Sequence, residues 1–266
     1  SLSAPYQYLG HAGTATLTQT GGTNTATYYV HLGELPGAHG LYELRSGTLS
    51  VGTLVVAVGG SGEFRWTGGT LSAARVVLNA SGLMTVERDW IYGGELRVDG
   101  GTLDLGAYYL STDGVGSQTS VTGGSIACSQ LVVGEFGVGA LAHSGGAVDV
   151  AELYVATWET SAGQYALSGT GSLDAPRQSI GYFGNGSLAQ TGGTNTADII
   201  HLGEKGTGRG TYLLGGGLLE VGELRIGQSG TGEFHWTAGS LAASEVVVHQ
   251  GDMTVEKDWT CGAQLW

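Results

Sequence analysis

Two short strings could do chemistry: Glu87, Asp89 and Trp90 in VERDW, and Glu256, Asp258 and Trp259 in VEKDW. On a strand, side chains two apart share a face at about 7 Å, a spacing at which paired carboxylates can act on a sugar while a Trp offers a stacking surface. Arg88 or Lys257 then lies between them on the opposite face. The plainer interpretation is a charge cluster at the end of a coil, with a Trp covering apolar surface at an irregular turn. A site written twice is ordinary for a copied scaffold and unusual for an enzyme, so no catalytic residue is expected, and passive glycan contact is the use assigned to these six residues.

Other signatures stop short. Gly137-Gly139, Gly184-Gly186 and Gly230-Gly232 are followed by Ala142, Ala189 and His235, so none completes G-x-G-x-x-G. Gly59 precedes Ser61, but Glu63 stands where a nucleophile elbow needs glycine. The string GGTLDLG lacks the third glycine of calcium-binding β-roll repeats. His31 and His201 open equivalent HLGE strings and are expected at solvent-facing turns, too far apart to share a metal. No cofactor and no metal are expected. Thr14, Thr16, Thr18 and Thr20 alternate as in ice-binding solenoids, but the neighbouring strings LYELRSGTL and EFRWTGGTL do not continue the array, so the β-propensity of Thr explains them. Cys128 alternates with Ile126 and is expected in a core, whereas Cys261 lies near the C-terminal end of the chain.

Composition says which elements must position these residues. Of 266 residues, 51 are Gly and three are Pro, with 12% charged and 41% hydrophobic, which excludes a helical bundle and favours a β-protein with many tight turns. Ten basic against 23 acidic residues give a net charge of −13, which repels phosphate backbones, so nucleic acid is not an expected partner. No run of about 18 apolar residues suits a membrane span, and no basic-then-apolar leader is visible at the start.

The chain repeats at two periods. SLSAPYQYLG lies over SLDAPRQSIG, TQTGGTNTA over AQTGGTNTA, GEFRWTGGTL over GEFHWTAGSL, and MTVERDW over MTVEKDW. The expected organisation is one continuous β-solenoid over 1–266 with a tandem duplication, 1–171 and an incomplete 172–266. Inside each copy, small-residue pairs such as Gly21-Gly22, Ser46-Gly47, Gly68-Gly69, Gly100-Gly101, Gly123-Gly124 and Gly145-Gly146 recur mostly every 22–25 residues. Such a segment holds three short strands and three turns and cannot bury its own apolar face; about eleven of them stacked in parallel would share a core. Leu54, Val56, Leu71, Val76, Leu131, Val133, Leu153, Val155, Leu224 and Ile226 are its expected members. Only the interval from Gly69 to Gly100, about 31 residues, breaks step, and an excursion is expected there.

The strings TQTGGTNT, HLGE and GTYLLGGGLLEVGELRIGQSGTGEFHWTAGSL resemble the Gly-rich parallel β-helix repeats of bacterial autotransporter passengers and of surface proteins with autotransporter-associated β-strand repeats. The resemblance implies an all-β, right-handed parallel β-helix exposed outside the cell.

The function expected from these readings is a non-catalytic extracellular β-solenoid: a fibre subunit, matrix component or adhesin stalk at a bacterial surface. The alternative is a glycan-binding or polysaccharide-lyase-like β-helix. The expected partner is the chain itself, head to tail, with polysaccharide as a second candidate and no insertion into membranes. Repeat sequence runs from Ser1 to Trp266 without a polar cap. The C-terminal coil, with Trp259, Cys261, Leu265 and Trp266, is therefore expected to dock on Leu2, Pro5, Tyr6 and Leu9 of the next chain.

Overall fold

The computed structural model describes residues 1–114 and 117–256 and the backbone of the strand Gln264–Leu265, and every regular element among them is a β-strand. Asp258, Trp259, Cys261 and Trp266 lie outside the described residues, as does the side chain of Leu265. The strands pair in parallel, coil upon coil, as a β-solenoid of about eleven turns.

Two compact units divide the chain: Ser1–Trp90 with Gly94–Tyr109 and Thr122–Cys128, and Ile91–Gly93 with Leu110–Val121 and Ser129–Trp266. The division falls inside the first copy of the duplication. In the first unit one face stacks Leu17, Tyr42, Phe64, Met84 and Leu103 as register partners, so successive coils take 25, 22, 20 and 19 residues. In the second unit the matching ladder is Leu141, Tyr165, Leu188, Tyr212, Phe234 and Met253, with coils of 24, 23, 24, 22 and 19 residues. The expected 22–25 therefore holds except at the short coils.

Those short coils correct the expected excursion. Gly69 turns the chain between strands Ser61–Trp66 and Thr70–Asn79, whereas Gly100 lies after the residues that pair with 75–78 and before those that pair with 83–85. The two glycines occupy different corners. Their long separation reflects a change of corner across contracted coils, and no coil is lengthened.

Period-two alternation sends every second side chain inward. Nine of the ten expected core residues are fully buried; Leu71 is the exception, half buried beside a contracted coil. Each fully buried Leu, Ile or Val contributes roughly 1.5–3 kcal/mol relative to exposure.

The corner glycines are set by space as well as by dihedral. Gly47 has φ +83°, and a Cβ there would lie 2.3 Å from the carbonyl oxygen of Gly22 on the coil before. Its counterpart Gly217 has φ +76°, with Gly193 O at the same 2.3 Å. Only a residue without Cβ lets coils close up at such corners.

Candidate functional site

The carboxylate pair does not form the arrangement expected of it. Strand Gly82–Val86 ends before Glu87, so Glu87 and Asp89 do not share a strand face. The Glu87 N–H donates to the Trp66 carbonyl at 2.9 Å, and Asp89 Oδ1 accepts from the Tyr109 N–H at 3.2 Å. Trp90 is 3% exposed and meets the Trp66 ring edge-on at 5.9 Å, while the Arg88 guanidinium lies 5.1 Å from the centre of the Trp66 ring. Trp90 is thus a core residue and offers no platform. In the second copy the Glu256 N–H repeats the bond to the Trp236 carbonyl at 2.9 Å.

The repeated QTGGTNT string has a different use, inside the coil. Gln19 and Asn24 point inward and are buried. Asn24 and Gln7 exchange two amide hydrogen bonds, of 2.7 and 2.9 Å; Asn24 Nδ2 also donates to Tyr42 Oη at 3.0 Å, and that hydroxyl donates to Gln19 Oε1. Gln19 Nε2 reaches the Gly22 and Thr48 carbonyls at 3.1 and 3.0 Å. The second copy rebuilds this with Gln178, Asn195, Tyr212 and Gln190, including an amide pair of 2.6 and 3.1 Å. Burial pushes the Tyr42 and Tyr212 hydroxyls above their ordinary pKa, so both stay protonated and can donate. These polar letters form a satisfied interior network.

The HLGE strings also depart from expectation, since both histidines lie at the ends of strands and not in turns. His31 Nδ1 and Glu34 Oε2 are 2.7 Å apart. His201 is buried, as is Glu204, whose carboxylate meets Arg177 at 2.8 Å and Lys205 at 3.3 Å. Burial lowers the His201 pKa; the Glu204 carboxyl is pushed up by burial but held below its ordinary value by His201 and Arg177. Ser179 is the register partner of His201 but is fully buried, so no substrate reaches it. Among the described residues, no group of three or more His, Cys, Asp or Glu could hold a metal. Cys128 is a buried free thiol.

The outward faces carry the exposed chemistry. The Thr14–Thr20 run meets His39, Leu41, Glu43 and Ser46 on the next coil, so no threonine ladder forms. Thr18 donates instead to Glu43, which with Arg45 and Arg65 holds that carboxyl below its ordinary value. Across four coils of the second unit runs a polar groove lined by Gln164, Asn185, Ser187, Arg209, Thr211 and Glu233. Phe136 and Trp158, both exposed, stack at 5.7 Å on adjacent corners of that unit.

On the first two coils an aromatic patch gathers, of which Tyr6 and His31 were singled out from sequence. Tyr6 stacks on Tyr28 at 4.9 Å and lies 4.8 Å from Tyr29; Tyr8 meets Tyr29 edge-on at 5.5 Å; Tyr29 stacks on His31 at 3.9 Å. His11 packs edge-on against Tyr8 at 5.7 Å. The Tyr8 and Tyr29 hydroxyls are hydrogen-bonded, which with further smaller effects pushes the Tyr29 pKa up to about 12. The signal was in PYQY and TYYVH: with Gln7, Leu9 and Val30 inward, Tyr6, Tyr8 and Tyr29 must face out. Of the other residues expected at an end-to-end contact, Leu2 and Pro5 are exposed, but Leu9 is 6% exposed and belongs to the core.

Fold and surface together define a parallel β-solenoid whose interior is written twice. Compared with known proteins, the chain matches no family model, no curated protein and no solved structure.

Proposed function

We propose that this chain is a non-catalytic β-solenoid that serves as structural material on the outside of a bacterial cell, as part of a fibre or stalk built head to tail. One observation carries the reading: between the two copies the polar and aromatic interior is kept, whereas much of the outward face changes. Gln7, Gln19, Asn24, Tyr42, Phe64 and Trp66 recur as Gln178, Gln190, Asn195, Tyr212, Phe234 and Trp236. Outside, Tyr6, Glu43 and Arg65 become Arg177, Leu213 and His235. A duplicated catalytic or ligand-binding site would keep outward chemistry; a duplicated scaffold keeps what holds coils together. In VERDW, too, the ring and backbone contacts of Arg88, Asp89 and Trp90 serve packing.

The surface placement rests on the resemblance to autotransporter-type repeats and on a composition rich in Gly with few cations. The head-to-tail arrangement rests on how coils join within the chain: strands such as Tyr6–Leu9 and Thr14–Leu32 pair in parallel, a mode of stacking that can continue from one chain to the next. Light scattering over a concentration series, with electron microscopy of the same samples, tests the reading. Fibres that lengthen with concentration are expected; a monodisperse monomer without fibres at high concentration would overturn it.

A further inference from the structure

We infer that the tyrosine patch on the first two coils is a binding platform for an uncharged polysaccharide. Tyr6, Tyr8 and Tyr28 are 49%, 44% and 56% exposed, and with Tyr29, His11 and His31 they form one continuous outward surface on adjacent coils. So much exposed aromatic area in one place marks an interaction site.

The scaffold does not require it. At the same places on the second copy stand Arg177, Ser179, Asp198 and Ile199, and the backbone is the same: the N–H groups of Tyr28 and Tyr29 donate to Pro5 O, and those of Asp198 and Ile199 donate to Pro176 O. The coil therefore folds with or without the four tyrosines, and their presence calls for a ligand.

The chemistry of the patch selects the class. An aromatic face stacks against the flat C–H face of a sugar ring, and phenol hydroxyls and imidazole nitrogens supply hydrogen bonds at its rim. The patch contains no Lys or Arg, and Glu34 sits on His31 at its border. With a net charge of −13, polyanionic glycans are repelled from this surface, leaving a neutral chain as the matching occupant. The platform is preorganised: Tyr29 is fixed between His31 and Tyr8, and its partner coil carries Tyr6 on the same rung.

The experiment is affinity electrophoresis and titration with hydroxyethylcellulose and laminarin as neutral glucans, and alginate as the acidic comparator. The whole chain is compared with Tyr28→Ala, with the fourfold variant Tyr6→Arg, Tyr8→Ser, Tyr28→Asp, Tyr29→Ile, and with Trp158→Ala. The fourfold variant borrows the second copy's own residues, so it is expected to keep its circular dichroism spectrum and melting temperature. Retardation by at least one neutral glucan is expected, weakened at least tenfold in the fourfold variant and several-fold in Tyr28→Ala, and unchanged in Trp158→Ala. Binding to alginate alone, no binding to either glucan, or equal binding by a folded fourfold variant would overturn the proposal. Fibre formation is read separately, by light scattering of the unaltered chain and of Tyr28→Ala, which leaves Tyr6 and the expected end-to-end contact in place.

Discussion

Each polar side chain in the Gln–Asn–Tyr–Gln network has its partners in place, and that makes it vulnerable to single atoms. Tyr212→Phe removes one hydroxyl and leaves both Asn195 Nδ2 and Gln190 Oε1 short of a partner in a fully buried site. An orphaned buried polar group costs about 1–3 kcal/mol, so a loss of that size is expected in urea unfolding, with Tyr42→Phe matching it in the first copy. The titrating residues give a second expectation. His143 is buried with Nδ1 at 2.9 Å from Tyr165 Oη and Nε2 at 3.1 Å from Gly146 O, and burial lowers its pKa, as it does for His201. A histidine with a lowered folded pKa binds fewer protons folded than unfolded. Stability present above the unfolded value of about 6.5 is therefore lost as pH falls through it toward the folded value. Glu204, also lowered, adds a loss of the same sign in the more acidic carboxylate range. Melting temperature is expected to fall from pH 7.5 to pH 5, and His143→Gln, which keeps a donor and an acceptor, should flatten part of that slope. A melting temperature that rises on acidification would contradict the buried, neutral state of these groups.

Among the elements, the corners carry the tightest requirement. Gly217→Ala meets both a positive φ and the Gly193 carbonyl oxygen at 2.3 Å, so neighbouring coils must part. Gly37→Ala has φ +80° but nothing within 4 Å. The second substitution should cost about 1–2 kcal/mol from backbone strain alone, and the first clearly more, in paired chemical denaturation curves. Equal costs would mean that coil spacing is not set at these corners. The same corners explain what could be read from sequence. Glycine pairs and alternating runs made the stack and nine of ten core residues legible. The shift between Gly69 and Gly100 was not, because the three corners of a coil use the same letters and differ only in which strand they follow. The tyrosine patch was half legible: Tyr6 stood out in the first string, but its joining to Tyr28 and Tyr29 depends on which rung lies beside which. The buried amides drew no reading from sequence, because Gln and Asn, taken singly, belong to surfaces.

For the molecule as a whole, stacking coil on coil makes stability a property of neighbours. Phe234 is fully buried, with its ring tilted against that of Tyr212 at 5.5 Å, and in register with Met253. Phe234→Ala should cost about 3–5 kcal/mol, and hydrogen exchange should rise in the coils holding Tyr212 and Met253 while the first unit keeps its protection. Uniform loss of protection along the chain would show instead that the stack melts as one block.

The duplicated interior network has a consequence for inheritance. Gln7, Gln19, Asn24 and Tyr42 have equivalents at Gln178, Gln190, Asn195 and Tyr212, with the same bonds among them. A genetic crossover within the shared QTGGTNT string would join the upstream part of one copy to the downstream part of the other. At that seam a glutamine from either copy meets the asparagine it needs, and the next coil supplies the tyrosine. Chains shorter or longer by 171 residues, the offset from Gln7 to Gln178, would leave the recombination event with every amide at the seam already satisfied. The length of this protein is thus a trait that recombination can change in whole copies while the interior chemistry passes intact to the descendants.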